Sequence, residues 1–266
     1  MRSDREAPPR EPGRPGLAGL AAEPPADFAV RVLRRVGIPR ETYDTYVRLD
    51  TAAGGLYVAA SPDAVTGAAL DTGGLTAAGF EELHRSRTHR SAVRSARPFP
   101  GVTTALRTGR ARRLPVDLSP LGPADRAVLE AVRAIPAGQL RPVGWIAREA
   151  AAAPEAVVGG LARNPAAVLI PCHRVTYDNG TPCDAGHLPE AGDALRAAEG
   201  IDLQRAAELR RRGVLFLGSD TTRIYCHPTC AHARRITAPH QVPFRTAREA
   251  GQAGYRACKS CRPVSA

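Results

Sequence analysis

The sequence predicts a mixed α/β (α+β) multidomain chain. It reads as a small N-terminal sheet, a helical domain built on a helix-turn-helix, and a small C-terminal Zn(Cys)4 domain. Three observations carry this. Residues 46–49 alternate, Gly54-Gly55 can turn, and Leu56-Tyr57-Val58-Ala59 continue the strand-like stretch, the pattern of a hairpin. From Pro123 the spacing turns helical, with Val128, Leu129, Val132 and Ile135 on one face. Near the C-terminus stand Cys226-x3-Cys230 and Cys258-x2-Cys261, a pairing suited to a tetrahedral metal.

Composition narrows the classes. A chain of 266 residues can bury more than one core. The formal net charge is +11, and Lys259 is the only lysine among 37 basic residues. Arginine suits phosphate because its planar fork donates two parallel hydrogen bonds. Much of the arginine count follows a bias toward Ala, Arg, Gly and Pro, yet a basic surface attracts polyanions regardless. No apolar run is long enough for a membrane span. The first residues lack the apolar middle of a secretion signal. Six cysteines, four of them in close pairs, read as a reduced, metal-binding cytoplasmic protein rather than a disulfide scaffold.

In order along the chain, residues 1–27 are rich in Pro, Gly, Ala and charge, the composition of a disordered tail. Residues 28–36 have helical spacing and stop at Gly37-Ile38-Pro39. Residues 65–70 extend the hairpin into a small antiparallel sheet. Residues 72–114 show no clear period, and Arg85, Arg87, Arg90, Arg94 and Arg97 are expected to face solvent. The helix from Pro123 ends at Pro136-Ala137-Gly138. A second spans 143–151 with Trp145 and Ile146. A third starts at Pro154, a residue suited to a first helical position, and ends before Asn164-Pro165. Two short helices with a tight break fit a helix-turn-helix, although any small helical core shares the pattern. Residues 195–200 and 203–212 are helical again. The module from Gly213 is too small for a large core, so a metal staple is expected. The expected divisions are a tail at 1–27, an α/β subdomain at 28–115, a helix-turn-helix domain at 116–212 and a zinc-binding domain at 213–266.

Cys172 stands in Pro171-Cys172-His173-Arg174-Val175, after the β-type run Val168-Leu169-Ile170. This places it at a strand end above a buried floor. A thiol becomes a nucleophile when its pKa is lowered or a base is adjacent. Neighbours on a strand face opposite ways, so His173 is expected to act through a bridging water. The alternative is a buried cysteine beside a core histidine.

The string Asn164-Pro165-Ala166-Ala167-Val168-Leu169-Ile170-Pro171-Cys172-His173-Arg174-Val175 resembles the active-site segment of O6-alkylguanine-DNA alkyltransferases. So do Ile135-Pro136-Ala137-Gly138, Gly144-Trp145-Ile146-Ala147 and Leu195-Arg196-Ala197-Ala198-Glu199-Gly200. The resemblance is firm over 120–200 and faint over 28–115. It implies that a flipped base delivers its alkyl group to Cys172 in one irreversible displacement. By the same resemblance His173 relays the proton and Glu199 orients it. Asn164 links the helix-turn-helix to the site, and Arg174 contacts DNA. Three departures bear on base flipping and recognition. Glu155 stands where the family has an arginine on the recognition helix, and Val143 where it has a tyrosine. The family's pocket-wall loop is replaced by Pro182-Cys183-Asp184-Ala185-Gly186-His187-Leu188. Cys183 is read as an incidental loop thiol.

The second cluster resembles the zinc-binding methyl-acceptor domain of the Ada type. The match spans about residues 213–264 and is carried by residues 218–230, which end on Tyr225-Cys226-His227-Pro228-Thr229-Cys230, by Val242-Pro243-Phe244, and by Ala253-Gly254-Tyr255-Arg256-Ala257-Cys258-Lys259-Ser260-Cys261-Arg262-Pro263. One Zn2+ on Cys226, Cys230, Cys258 and Cys261 is expected, with a plain zinc ribbon as the rival. Zinc keeps thiols as thiolates at neutral pH. The resemblance makes Cys226 both ligand and acceptor of a methyl from a backbone methylphosphotriester. It also makes Thr222 and Arg234 phosphate contacts. His227 and His232 are read as non-ligands.

The expected protein is a single-turnover methylated-DNA–[protein]-cysteine S-methyltransferase. It acts on double-stranded alkylated DNA, as a monomer, with no membrane partner and no small-molecule cofactor. The competing reading is a zinc-containing DNA-binding protein, methylation sensor or transcription regulator with a degenerate first domain.

Overall fold

The computed structural model describes residues 24–263. The expected tail therefore lies, through residue 23, outside the described residues. A first helix, α1 (Phe28–Arg35), leads into the hairpin of β1 (Asp44–Thr51) and β2 (Gly54–Ala60). β3 (Val65–Leu70) pairs antiparallel with β2, and β4 (Ala92–Arg94) pairs parallel with β1. The order is β3-β2-β1-β4. Alternation sends neighbouring side chains to opposite faces. Tyr57 and Ala59 face α2 (Ala77–Thr88), where Phe80 stacks on Tyr57 at 5.1 Å between ring centroids. Leu56 and Val58 face the core shared with the helical domain.

The helix α2 lies where the sequence showed no period. Of the arginines expected in solvent there, Arg90 turns inward. Its Nε donates to Asp44 at 3.0 Å, and Asp44 also accepts from Thr66 at 2.7 Å and pairs with His84 at 2.9 Å. Burial raises the Asp44 pKa, but these hydrogen bonds outweigh it and hold the carboxyl at about 2. A buried carboxylate needs such partners, and the arginine spacing gave no sign of one.

After α3 (Val102–Thr108) come α4 (Pro123–Arg133), α5 (Val143–Ala150) and α6 (Pro154–Ala162). Ala151, at φ 49°, makes the left-handed turn between α5 and α6. Val128, Leu129, Val132, Ile146, Val157 and Leu161 are fully buried in one core. Two strand contacts hold the segment around Cys172. The edge of β3 pairs with it, as Ala68 N–H donates to the Pro165 carbonyl at 2.8 Å and the Ala68 carbonyl accepts from Ala167 at 3.1 Å. β5 (Arg141–Pro142), just before α5, runs parallel to β6 (Val175–Thr176), just after Cys172. α7 (Pro189–Ala198) begins earlier than expected, with Pro189 at its first position.

The C-terminal module is a sheet of order β10-β8-β7-β9. Its strands are β7 (Phe216–Ser219), β8 (Ile224–Cys226), β9 (Gln241–Phe244) and β10 (Arg256–Ala257), with α9 (Ala247–Gln252) after β9. Alternation again makes two faces. Phe216 and Tyr225 join Phe244 and Tyr255, whereas Leu217 and Cys226 join the cysteine cluster. Leu209 of α8 (Leu203–Arg211) packs into that cysteine cluster as well. The boundary expected at 213 therefore moves forward to include α8, because its apolar face has the metal module as its neighbour. At Gly218 an added Cβ would lie 2.7 Å from both Phe244 and Tyr255. Gly218→Ala is expected to cost about 1–3 kcal/mol, measured by denaturant unfolding.

Candidate active site and metal centre

Cys172 does not end a strand. Its N–H reaches back to the Ile170 carbonyl at 2.9 Å across Pro171, whose φ of −83° and ψ of 66° make an inverse γ-turn. Cys172-His173-Arg174 then form one turn of 3-10 helix. The expected β-run fails because Val168 sits at φ 67°, with Leu169 N–H bonded to the Ala167 carbonyl at 2.8 Å. A β-branched residue at positive φ is strained, and the strain lies in the segment leading to the thiol.

Asn164 organises this turn. Its Nδ2 lies 3.0 Å from the Ile170 carbonyl and 3.1 Å from Cys172 Sγ, and its Oδ1 accepts from Ala166 N–H at 2.9 Å. Burial pushes the Cys172 thiol up to about 12, against the hydrogen bond from Asn164. The resting group is therefore a thiol. His173 is 2% exposed, and its Nε2 lies 3.0 Å from Glu199 Oε1. Burial lowers the His173 pKa, so the ring is neutral near pH 7. An ionised Glu199 accepts from Nε2–H, which leaves Nδ1 as the basic nitrogen. Burial raises the Glu199 pKa, but hydrogen bonds from His173 and Arg174 outweigh it and hold the carboxyl at about 2.

Arg174 is not available to DNA, contrary to the sequence expectation. It is buried, and its Nε lies 3.0 Å from both Glu199 oxygens. Its two terminal nitrogens donate to the carbonyls of Ile135 and Gly109 at 2.6 Å. Low dielectric favours this internal carboxylate pair over a solvated phosphate. Arg196, not singled out in the sequence, is fully buried too. It donates to the His173 carbonyl and to Asp184 at 2.7 Å each. The altered loop still covers the thiol. A Cβ on Gly186 would lie 3.7 Å from Cys172 Cβ and 2.9 Å from the Leu161 carbonyl. Cys183 of this loop, read as an incidental loop thiol, is fully buried and packs into the main core. Glu155 is exposed on α6, and Val143 is buried at the start of α5.

The four cysteines of the C-terminal module converge. All are buried, with their Sγ atoms within 4.8 Å of one another. A tetrahedron with Zn–S of ~2.3 Å needs sulfurs ~3.8 Å apart, so the donor set fits zinc. His232 Nδ1 lies 3.6 Å from Cys258 Sγ, outside the donor set. Of the four cysteines, Cys226 lines an open pocket, shared with Thr222, His232 and Arg235. Thr222, expected as a phosphate contact, lines the same pocket as Cys226. Arg234 faces the other way, toward Gly138, and Arg235 takes the place beside Cys226. Arg234 and Arg235 lie in the short 3-10 turn Ala233–Arg235, which points the two side chains in different directions.

The module docks on the helix-turn-helix. Trp145 Nε1–H of α5 donates to the Cys261 carbonyl at 3.0 Å, and Leu140 N–H to Thr229 Oγ1 at 2.7 Å. Arg262 pairs with Glu149. Arg141 is 2% exposed and stands in the field of all four sulfurs. Burial opposes its charge, and the cysteines favour it. Nothing in the local sequence marked Arg141 for this place.

Residues 123–201 match the family described as 6-O-methylguanine DNA methyltransferase, DNA binding domain, and residues 204–264 match the metal binding domain of Ada. Over 80 residues the chain is 40% identical to a methylated-DNA–protein-cysteine methyltransferase of Methanothermobacter thermautotrophicus. That match covers 30% of this chain and 46% of the relative, so it spans just under half of that protein. Among solved structures, the Mycobacterium tuberculosis OGT in complex with DNA is similar at 27% identity and a TM-score of 0.46. The alignment covers 62% of this chain and 98% of that one. The O6-methylguanine-DNA methyltransferase of Pyrococcus kodakaraensis is similar at 19% identity and a TM-score of 0.44, over 59% and 99% of the two chains. The chain is thus similar, in this order along its length, to the DNA-binding domain of 6-O-methylguanine DNA methyltransferases and to the metal binding domain of Ada.

Proposed function

We propose that this protein repairs alkylated double-stranded DNA by moving alkyl groups irreversibly onto two of its own cysteines. The observation that carries this reading is the buried set of Cys172 beside Asn164 and His173 beside Glu199, in a matching domain. The buried thiol is protonated at rest, so its proton must leave as the substrate arrives. His173 Nδ1 takes it, through water, while Glu199 stabilises the resulting imidazolium. The sulfur attacks the alkyl carbon of an O6-alkylguanine. The C–S bond forms as the C–O bond breaks, and its electron pair passes to the guanine. A proton returned by His173 leaves a neutral guanine in the DNA. Charge balances, and the thioether ends the reaction.

At the second site, a zinc ion held by Cys226, Cys230, Cys258 and Cys261 would supply thiolate character at neutral pH. Cys226, opening on the pocket with Thr222 and Arg235, attacks the methyl carbon of a methylphosphotriester, and the phosphodiester leaves as an anion. In this reading the protein acts as a monomer in a reducing cytoplasm, where its cysteines stay free. No helix among the described residues is long and apolar enough to cross a membrane.

The test is incubation of the zinc-loaded protein with methylated duplex DNA, followed by peptide mass spectrometry. Methyl on both Cys172 and Cys226 is expected. Methyl on Cys226 alone would make the first domain a DNA-binding scaffold. No transfer to either would replace the enzyme by a zinc-containing DNA-binding protein.

A further inference from the structure

Neither helix of the helix-turn-helix offers a free guanidinium. Arg148 of α5 is bonded to Glu149 and to the Arg262 carbonyl. Arg163, at the end of α6, makes two 2.7 Å bonds to Asp125. Exposed Glu155 adds negative charge. Affinity for DNA rests largely on neutralised phosphates, so the cations must lie elsewhere.

Five exposed cations line a cleft of about 1390 Å³ that also borders His173 and Glu199. Its wall carries Arg107, Arg110, Arg112 and Arg113 from the exit of α3, and Arg234 from the zinc module. All five are exposed, and none of their guanidiniums has a hydrogen-bond or ion-pair partner among the described residues. The acids on the wall are Asp50 and Glu199. Asp50 is paired with Arg48, and Glu199 with Arg174.

The segment bearing these arginines is pinned from beneath. Arg174 donates to the Gly109 carbonyl at 2.6 Å, and Arg133 donates to the carbonyls of Arg112 and Leu114 at 3.1 and 2.6 Å. Gly109 has φ 66°, and a Cβ there would lie 2.8 Å from Ala137 Cβ. The chain thus holds a loop rigidly while leaving its charges unsatisfied, the arrangement of a preorganised anion site.

We propose that this cleft binds the sugar-phosphate backbone of duplex DNA and supplies most of the salt-dependent affinity. The inference rests on the reading of DNA as the substrate-bearing partner. The cleft is far larger than one phosphate requires. No phenylalanine, tyrosine or tryptophan lines it, so it lacks the stacking platform of a single-strand groove. Because Arg234 lines it, one DNA segment there would touch both modules.

The test is fluorescence anisotropy of the full zinc-loaded chain on a short unmodified duplex across a KCl series. The combined variant Arg107→Ala, Arg110→Ala, Arg112→Ala, Arg113→Ala is expected to bind at least about ten-fold more weakly at low salt. Its slope of log K against log[KCl] should flatten by about 0.9 for each phosphate no longer neutralised. Arg113→Ala alone should flatten it by about 0.9, which keeps the test open if the combined variant misfolds. Zinc content, and alkyl transfer to Cys172 from a free O6-alkylguanine base, should match the unaltered chain. An unchanged slope in both variants overturns the proposal. So does binding to a single strand that weakens as much as binding to duplex. If the unaltered chain transfers no alkyl group, the salt slopes still decide the cleft, so the two readings fail separately.

Discussion

Removing zinc from the full chain is expected to unfold the C-terminal module and shift the emission of Trp145 to the red. Trp145 is the chain's single tryptophan. It is 5% exposed and bonded to the carbonyl of the metal-ligating Cys261. It therefore reports docking directly. The module's core around the metal is Leu209, Val214, Leu217, Ala233 and the four cysteines, too little apolar surface to fold alone. A structural Zn(Cys)4 site contributes about 10–16 kcal/mol of apparent binding energy, which exceeds the stability of any module this size. Loss of metal also removes the charge balance around Arg141. The emission shift should reverse on adding zinc back. A chelated protein with unchanged Trp145 emission and unchanged protease resistance over 204–263 would refute a metal-dependent dock.

Glu199→Gln is expected to destabilise the helical domain and to stop transfer to Cys172. The substitution keeps the shape but removes the charge that faces Arg174 and His173. Breaking one side of a buried ion pair costs about 3–5 kcal/mol, because the remaining charge is left uncompensated. Glu199 also ties Gly138 N–H at 2.9 Å, so the stop of the helix before it loosens. The pH dependence has a definite sign. The folded carboxyl titrates at about 2, below its ordinary value of 4.5. Its contribution is therefore full above about pH 4.5 and is lost as the pH falls toward 2. Denaturant midpoints should fall more between pH 7 and pH 2 in the native chain than in Glu199→Gln, which keeps the acid limb of Asp44 but not that of Glu199. A variant within about 0.5 kcal/mol of the native chain at pH 7, the size of a neutral surface change, would show that Arg174 does not depend on Glu199.

The helices around Cys172 were legible because their evidence is local. Pro123, Pro154 and the spacing of Val128, Leu129, Val132 and Ile135 act within one or two turns of chain. The same holds for the hairpin around Gly54-Gly55 and for the zinc ligands, whose pair spacing is itself the signature. The site was legible through its short strings, which placed Cys172, His173, Asn164 and Glu199 together. The strand drawn into Cys172 was wrong because Val168 takes a positive φ that β-propensity does not foresee. Tertiary contact with β3 and the Asn164 side chain imposes the turn instead.

Sequence by itself determined the order of the modules, the four-cysteine cluster and the segment that bears Cys172, since each is a matter of residue type at short separation. Tertiary structure alone decided what the arginines do. Arg174 and Arg196 are drawn into the core by carboxylates and carbonyls far away in the chain, whereas Arg141 is buried on hydrogen bonds to its neighbours Gln139 and Leu140. Arg235 stands beside Cys226, whereas Arg234 joins the cleft. A guanidinium's role depends on which anion or carbonyl lies within hydrogen-bond reach and how far water is excluded. Long-range packing sets both.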